Sequence, residues 1–228
     1  MKYEIFMSDE HKYGTDSLLL GEFVNKSVLK NKVVVDLCSG CGIIPFLICA
    51  GENKPNRIYA VEIQFEAVQL IKKSILANGA NELSETIKII HGDLRDEKTF
   101  SPIRQSGREQ VDLVIANPPY YTVGSGFERN SSSQKSARYD GTGCTLNDVV
   151  KSAALLLKFG GVLKMCMTAS RLCECISIMQ SYNIEPKEIE LIGAGKSETG
   201  KVGKARLFLI SGKKGGKSGV VTTWQKQK

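Results

Sequence analysis

Short runs rich in apolar residues recur along this chain, and between them apolar positions return every three or four residues. The runs lie at 32–35, 57–62, 86–91, 111–116, 161–167, 187–192 and 205–210. Runs of that length, rich in β-branched residues and bounded by turn signals, read as strands buried on both faces. Helical spacing fills most of the gaps. A helix from Asp16, a plausible N-cap, to about Leu29 presents Leu18, Leu19, Phe23 and Val24 on one side. Another covers 43–50, with Pro45 in its first turn and Gly51 past its end. A third, over 64–76, turns Ala67, Val68, Leu70, Ile71 and Ile75 inward and stops at Asn78-Gly79. Further helices are expected over 147–158 and 171–182. Strands alternate with helices until the final pair. The pattern predicts an α/β fold, a doubly wound seven-stranded sheet with its last strand antiparallel.

One domain over 1–212 is expected, with 1–30 as an N-terminal arm and helix. Residues 122–142 are polar and rich in Gly and Ser, a loop long enough to have a task of its own or to be disordered. The lysine-rich stretch 213–228 reads as a disordered terminus or as a basic arm. The chain has a formal net charge of +7, which favours an acidic partner such as nucleic acid over ordinary solubility charge only modestly. No apolar run reaches membrane-spanning length and no secretory signal opens the chain, so a cytoplasmic location is expected. The seven cysteines are odd in number and fall mostly inside apolar elements, as free thiols do in a reducing compartment. Cys38 and Cys41 imitate a metal or redox pair. They lack a second ligand pair at suitable spacing, so they read as small residues filling a loop, and no metal is expected.

That loop carries chemistry. The first strand runs into Asp36-Leu37-Cys38-Ser39-Gly40-Cys41-Gly42, and a helix follows at once. Glycines let the backbone approach a ligand, and the helix start offers free N–H groups. The full phosphate fingerprint and the Gly-Lys-Ser/Thr of a P-loop are missing, which disfavours dinucleotides and nucleoside triphosphates. The second strand ends in Glu62, about 20 residues past the glycine loop, the spacing at which a carboxylate meets a ribose diol. The third runs into Gly92-Asp93, where Asp93 could accept from an adenine amino group. The fourth ends in Asn117-Pro118-Pro119-Tyr120. Two prolines make a stiff turn, which holds the Asn117 amide and the Pro118 carbonyl at the carboxyl end of a strand. Those oxygens suit acceptance from a planar NH₂ group, and Tyr120 could stack on the ring that carries it. The plainer reading is a strand-ending turn with a buried tyrosine.

In order, these motifs resemble the class I S-adenosylmethionine-dependent methyltransferases. Within them the chain resembles the tRNA(Val) adenine-N6 methyltransferases. The closer likeness rests on Lys12-Tyr13-Gly14-Thr15-Asp16-Ser17-Leu18, on Ser136-Ala137-Arg138-Tyr139-Asp140, on Arg171-Leu172 with Glu174, and on Lys213-Lys214-Gly215-Gly216-Lys217. The second of these departs from the family's pattern, which more often continues with His and Glu. The resemblance implies S-adenosyl-L-methionine as cofactor, held by Tyr13, Thr15, Asp36, Cys38, Ser39, Gly40, Gly42, Glu62, Ile63, Asp93, Leu94 and Asn117. It implies a catalytic turn of Asn117, Pro118, Pro119 and Tyr120. It implies tRNA as the partner, with Tyr120, Arg138, Lys201 and Lys204 on the RNA; the motifs do not fix the oligomeric state, and a monomer is the default expectation. His11 and His91 read as a surface and a strand-end residue. Three alternatives stay open, one of them amino-methylation of rRNA or DNA. Release-factor glutamine methyltransferases use the same turn on an amide, although their helical N-terminal domain has no trace here. An RNA-binding relic of the fold would need no intact Asp36, Glu62, Asp93 and Asn117.

Overall fold

The computed structural model describes residues 2–105, 111–118, 144–193 and 204–226. Strands β1 (Val33–Leu37), β2 (Arg57–Glu62), β3 (Ile87–His91), β4 (Val111–Ala116), β5 (Leu157–Thr168), β6 (Ile184–Gly193), β7 (Ala205–Lys214) and β8 (Val221–Lys226) form one sheet in the order 3-2-1-4-5-7-6-8. Only β7 runs against the rest: it pairs antiparallel with both β5 and β6, whereas β8 is parallel to β6. The helices are α1 (Thr15–Asn25), α2 (Ile43–Ala50), α3 (Phe65–Ala77), α4 (Ala80–Thr86), α5 (Ser101–Gln105), α6 (Leu146–Leu156) and α7 (Leu172–Ser181). Among the described residues, no helix is long and apolar enough to cross a membrane.

Alternation within β1 shows how the layers arise. Val33, Val35 and Leu37 join a core with α6 and α7, while Val34 joins one with α1, α2 and α3 on the opposite face. A strand covered twice is apolar at most of its positions, which is why β1, β2 and β4 read so clearly.

The sheet has eight strands, not seven, because the lysine-rich stretch is part of it. β7 extends through Lys213 and Lys214, and β8 adds Val221–Lys226 in register with 188–193. Two lysines here are structural. Lys214 Nζ donates to the carbonyls of Ala154 (2.6 Å) and Leu157 (2.7 Å) at the end of α6, where carbonyls lack helical partners and a cation is favoured. Lys187 Nζ donates to the Lys217 and Gly219 carbonyls (2.8 and 2.9 Å) and so holds the β7–β8 connection. β6 begins at Ile184, before the expected start, because a register shift between Pro186 and Glu188 accommodates a residue without an N–H. Helix α1 ends at Asn25 rather than near Leu29, and its N-cap is Gly14, not Asp16.

Candidate active site

Strands β1 to β4 are parallel and in register, with Leu37 opposite both Val61 and Ala116 and Glu62 opposite His91. Their carboxyl ends therefore form one edge. Asp36, Glu62, Asp93 and Asn117 lie there, on four neighbouring strands about 4.8 Å apart.

The β1–α2 loop is built around two carboxylates. Ser39 Oγ donates to Asp36 Oδ2 at 2.6 Å, and the Ser39 N–H donates to the Val61 carbonyl at 3.1 Å. Gly40 N–H donates to Glu62 Oε2 at 2.7 Å, and Gln64 N–H to Glu62 Oε1 at 2.9 Å. Glu62 thus clamps the glycine loop onto the start of α3. An ionised carboxylate has about four acceptor positions, so each oxygen keeps capacity for a hydroxyl. Gly42, the N-cap of α2, has φ +83° and its missing Cβ would lie 3.0 Å from Ile71, so both conformation and space require glycine. At Gly40, φ is +56° and the space beside the Cα is open. That opening is where a ligand would meet the loop.

Asp36 is fully buried, and its Oδ1 has no hydrogen-bond partner. Burial pushes its pKa up to about 7; the Ser39 hydroxyl opposes the shift and the Glu62 charge adds to it. An orphaned carboxylate oxygen inside an open glycine loop calls for a donor or cation, and S-adenosylmethionine carries both. The residues present fit that group.

The raised pKa predicts a pH effect. Unfolded, Asp36 ionises near pH 4; folded, near pH 7. Both states hold the proton below about pH 4, so no penalty applies there. Between about pH 4 and pH 7 the unfolded chain gives up a proton that the fold retains, and stability falls as pH rises, by at most about 4 kcal/mol. Asp36→Asn should remove this slope. Urea unfolding at several pH values would measure it, and parallel wild-type and variant profiles would refute the assignment.

Asp93 is not an open acceptor. Arg95 grips it, Nε at 3.0 Å from both carboxylate oxygens and Nη2 at 2.6 Å from Oδ2, and holds its pKa below the usual range. Arg95 had no sequence signal beyond its nearness. Ile63 is half exposed at the edge, and the His91 ring nitrogen lies 2.9 Å from its carbonyl oxygen. Leu94 is in the core, and its carbonyl receives the Ser152 hydroxyl at 2.8 Å, so Leu94 could offer a ligand only backbone. Cys38 sits at φ +59° with its Sγ 3.9 Å from Cys144 Sγ, while Cys41 is buried. Tyr13 is half buried and Thr15 exposed, both beside the start of α1.

The start of α1 holds the main finding at this edge. Asn117 Nδ2 donates to Ser17 Oγ at 2.9 Å and to Asp16 Oδ2 at 3.2 Å. A carboxylate only accepts, so the nitrogen end of the amide must face Asp16. The chemistry Asn117 offers through Oδ1 is then that of an acceptor. Asp16 reads as a cap in the sequence; in the fold it orients the asparagine 101 residues away. Gly14 allows this, because a Cβ there would lie 2.5 Å from Asp16 Oδ1. The far end of α1 is anchored too, by buried Lys164 Nζ donating to the Phe23 carbonyl at 2.7 Å. Pro118 is buried beside Asn117. Pro119, Tyr120, Arg138 and Lys201 lie outside the described residues. Lys204 is exposed at the start of β7, two strands from β4 and not at the glycine loop.

Residues 2–133 match the methyltransferase small domain family. The chain belongs to that family. Its members transfer methyl groups from S-adenosylmethionine, which is therefore the cofactor here. Among curated relatives, a tRNA1(Val) (adenine(37)-N6)-methyltransferase of Aeromonas hydrophila is 25% identical over 173 residues, spanning 76% of this chain and 66% of that protein. One of the same name from a Flavobacteriaceae bacterium is 25% identical over 210 residues, spanning 83% and 81%. Among solved structures, a protein of Agrobacterium tumefaciens described as a predicted O-methyltransferase superposes with TM-score 0.66 at 18% identity, over 92% of this chain and 86% of its own. At that identity the likeness concerns the fold. The doubly wound sheet of the methyltransferase small domain family is thus the one read from the sequence, extended by β8.

Proposed function

We propose that this chain methylates N6 of an adenine in tRNA, in a valine tRNA beside the anticodon. The observation that carries the reading is the Asn117 amide, turned by Asp16 and Ser17 so that it meets a substrate as an acceptor at the glycine-loop edge. The names of the curated relatives support the choice of tRNA.

An exocyclic adenine nitrogen is a weak nucleophile because its lone pair is delocalised into the ring. Asn117 Oδ1 and the Pro118 carbonyl accept from its two N–H groups and draw the nitrogen toward a localised lone pair. Bound S-adenosylmethionine supplies a methyl group activated by its sulfonium. Asp36, Ser39, Gly40 and Gly42 would hold its methionine end and Glu62 its ribose hydroxyls. Positioning and oriented dipoles then do most of the catalytic work. The substrate nitrogen sheds its second proton after transfer, so no strong base is required. Tyr120 stacks on the base, which must leave its own stack to reach this edge, and Arg138 and Lys201 hold RNA phosphates.

A competition assay tests the acceptor. The enzyme is given methyl-labelled cofactor together with tRNA and a release factor. Label is expected in the tRNA. Label in the release factor alone would replace adenine by a glutamine amide, and binding of tRNA with no label anywhere would make the chain a relic.

A further inference from the structure

Strand β8 runs parallel to β6, which is parallel to β5 and β4, so its C-terminal end points to the same edge of the sheet as Asn117. Three features meet at that end. Trp224, opposite Leu191 in register, is 43% exposed although it is the only tryptophan in the chain. Its ring lies over the last residue of β6: a Cβ added at Gly193 would sit 3.0 Å from Trp224 Cζ2. The same point is 2.7 Å from the Lys204 carbonyl oxygen, and Lys204 is exposed. Lys226 pairs in register with Gly193. An aromatic face beside basic residues is the chemistry that binds nucleic acid, through base stacking and phosphate contact.

We infer that Trp224 and Lys204 form a second RNA-docking surface, apart from the reacting base. This inference rests on the tRNA reading given above. From β4 to β8 the sheet takes four interstrand steps, about 19 Å in all. Trp224 is therefore too far to touch the base held at Asn117, and it engages flanking RNA of the same molecule. Glycine at 193 leaves room for the indole against the strand end, and the Lys204 ammonium adds the phosphate contact. An acidic partner suits the chain's net charge of +7. The surface sets how a large RNA is held, not how the methyl group moves.

Fluorescence anisotropy with labelled tRNA tests this directly. Trp224→Ala should weaken tRNA binding about 5- to 100-fold, the range for loss of one base–aromatic stack. Trp224→Phe should restore most of it. Lys204→Glu, at an exposed site that threatens no core, should weaken binding and flatten the salt dependence. Adenosine monophosphate, a single nucleotide that cannot bridge about 19 Å, should bind all of these proteins alike. Equal tRNA affinity for wild type, Trp224→Ala and Lys204→Glu would overturn the docking surface. So would sedimentation showing a wild-type dimer that Trp224→Ala dissolves, since β8 would then pair with a second copy. The tRNA reading fails separately, by absence of methyl transfer from the wild type, which the binding measurements do not use.

Discussion

Asn117→Ala is expected to lower the methyl-transfer rate about 10²- to 10³-fold, the usual cost of removing one positioned hydrogen-bonding group. S-adenosylmethionine binding should change little, because Asp36, Ser39, Gly40 and Glu62 build the loop on other strands. Single-turnover rates and calorimetry separate the two quantities. The geometry adds a graded series. Ser17→Ala removes one acceptor for the Asn117 amide and leaves Asp16, so its loss should be smaller than that of Asn117→Ala. Gly14→Ala should act at a distance, because the new methyl group displaces the Asp16 carboxylate from Asn117. An Asn117→Ala enzyme with an unchanged rate would remove the acceptor from the mechanism.

Glu62→Ala is expected to act on both the fold and the cofactor. Its carboxylate accepts the N–H groups of Gly40 and Gln64, and unmet buried donors cost about 1–3 kcal/mol each. The glycine loop then loses its clamp, and cofactor affinity should fall about 10- to 100-fold, with a lower thermal midpoint. Glu62→Gln keeps one acceptor oxygen, so one of the two backbone bonds survives and both losses should shrink. Unaltered affinity in Glu62→Ala with normal folding would place the ribose elsewhere.

The contrast between these residues shows what a sequence carries. β2 and β4 occupy the expected spans because burial on both faces makes most of their positions apolar and the boundaries abrupt. Glu62 and Asn117 were legible because they stand where such strands stop. Asp16 was not, since a helix-start aspartate looks the same whether it caps its own backbone or grips a distant side chain. Arg95 is a similar case: it reaches Asp93 only because the turn after β3 folds back. β8 was hidden by composition. Val221-Thr222-Thr223-Trp224 is good strand material by its β-branched and aromatic residues, but the lysines and glycines around it read as a tail, and its partner β6 and the Lys187 contacts that hold the turn are non-local.

The central claim is that an adenine amino group is methylated at the edge that Asn117 and the glycine loop share. Its most direct test is incubation of an unmodified valine tRNA transcript with methyl-labelled S-adenosylmethionine, followed by digestion and separation of the nucleosides. The account predicts label in N6-methyladenosine, abolished when the target adenine is replaced by guanine. Label in any other nucleoside, or none in the RNA, would contradict it.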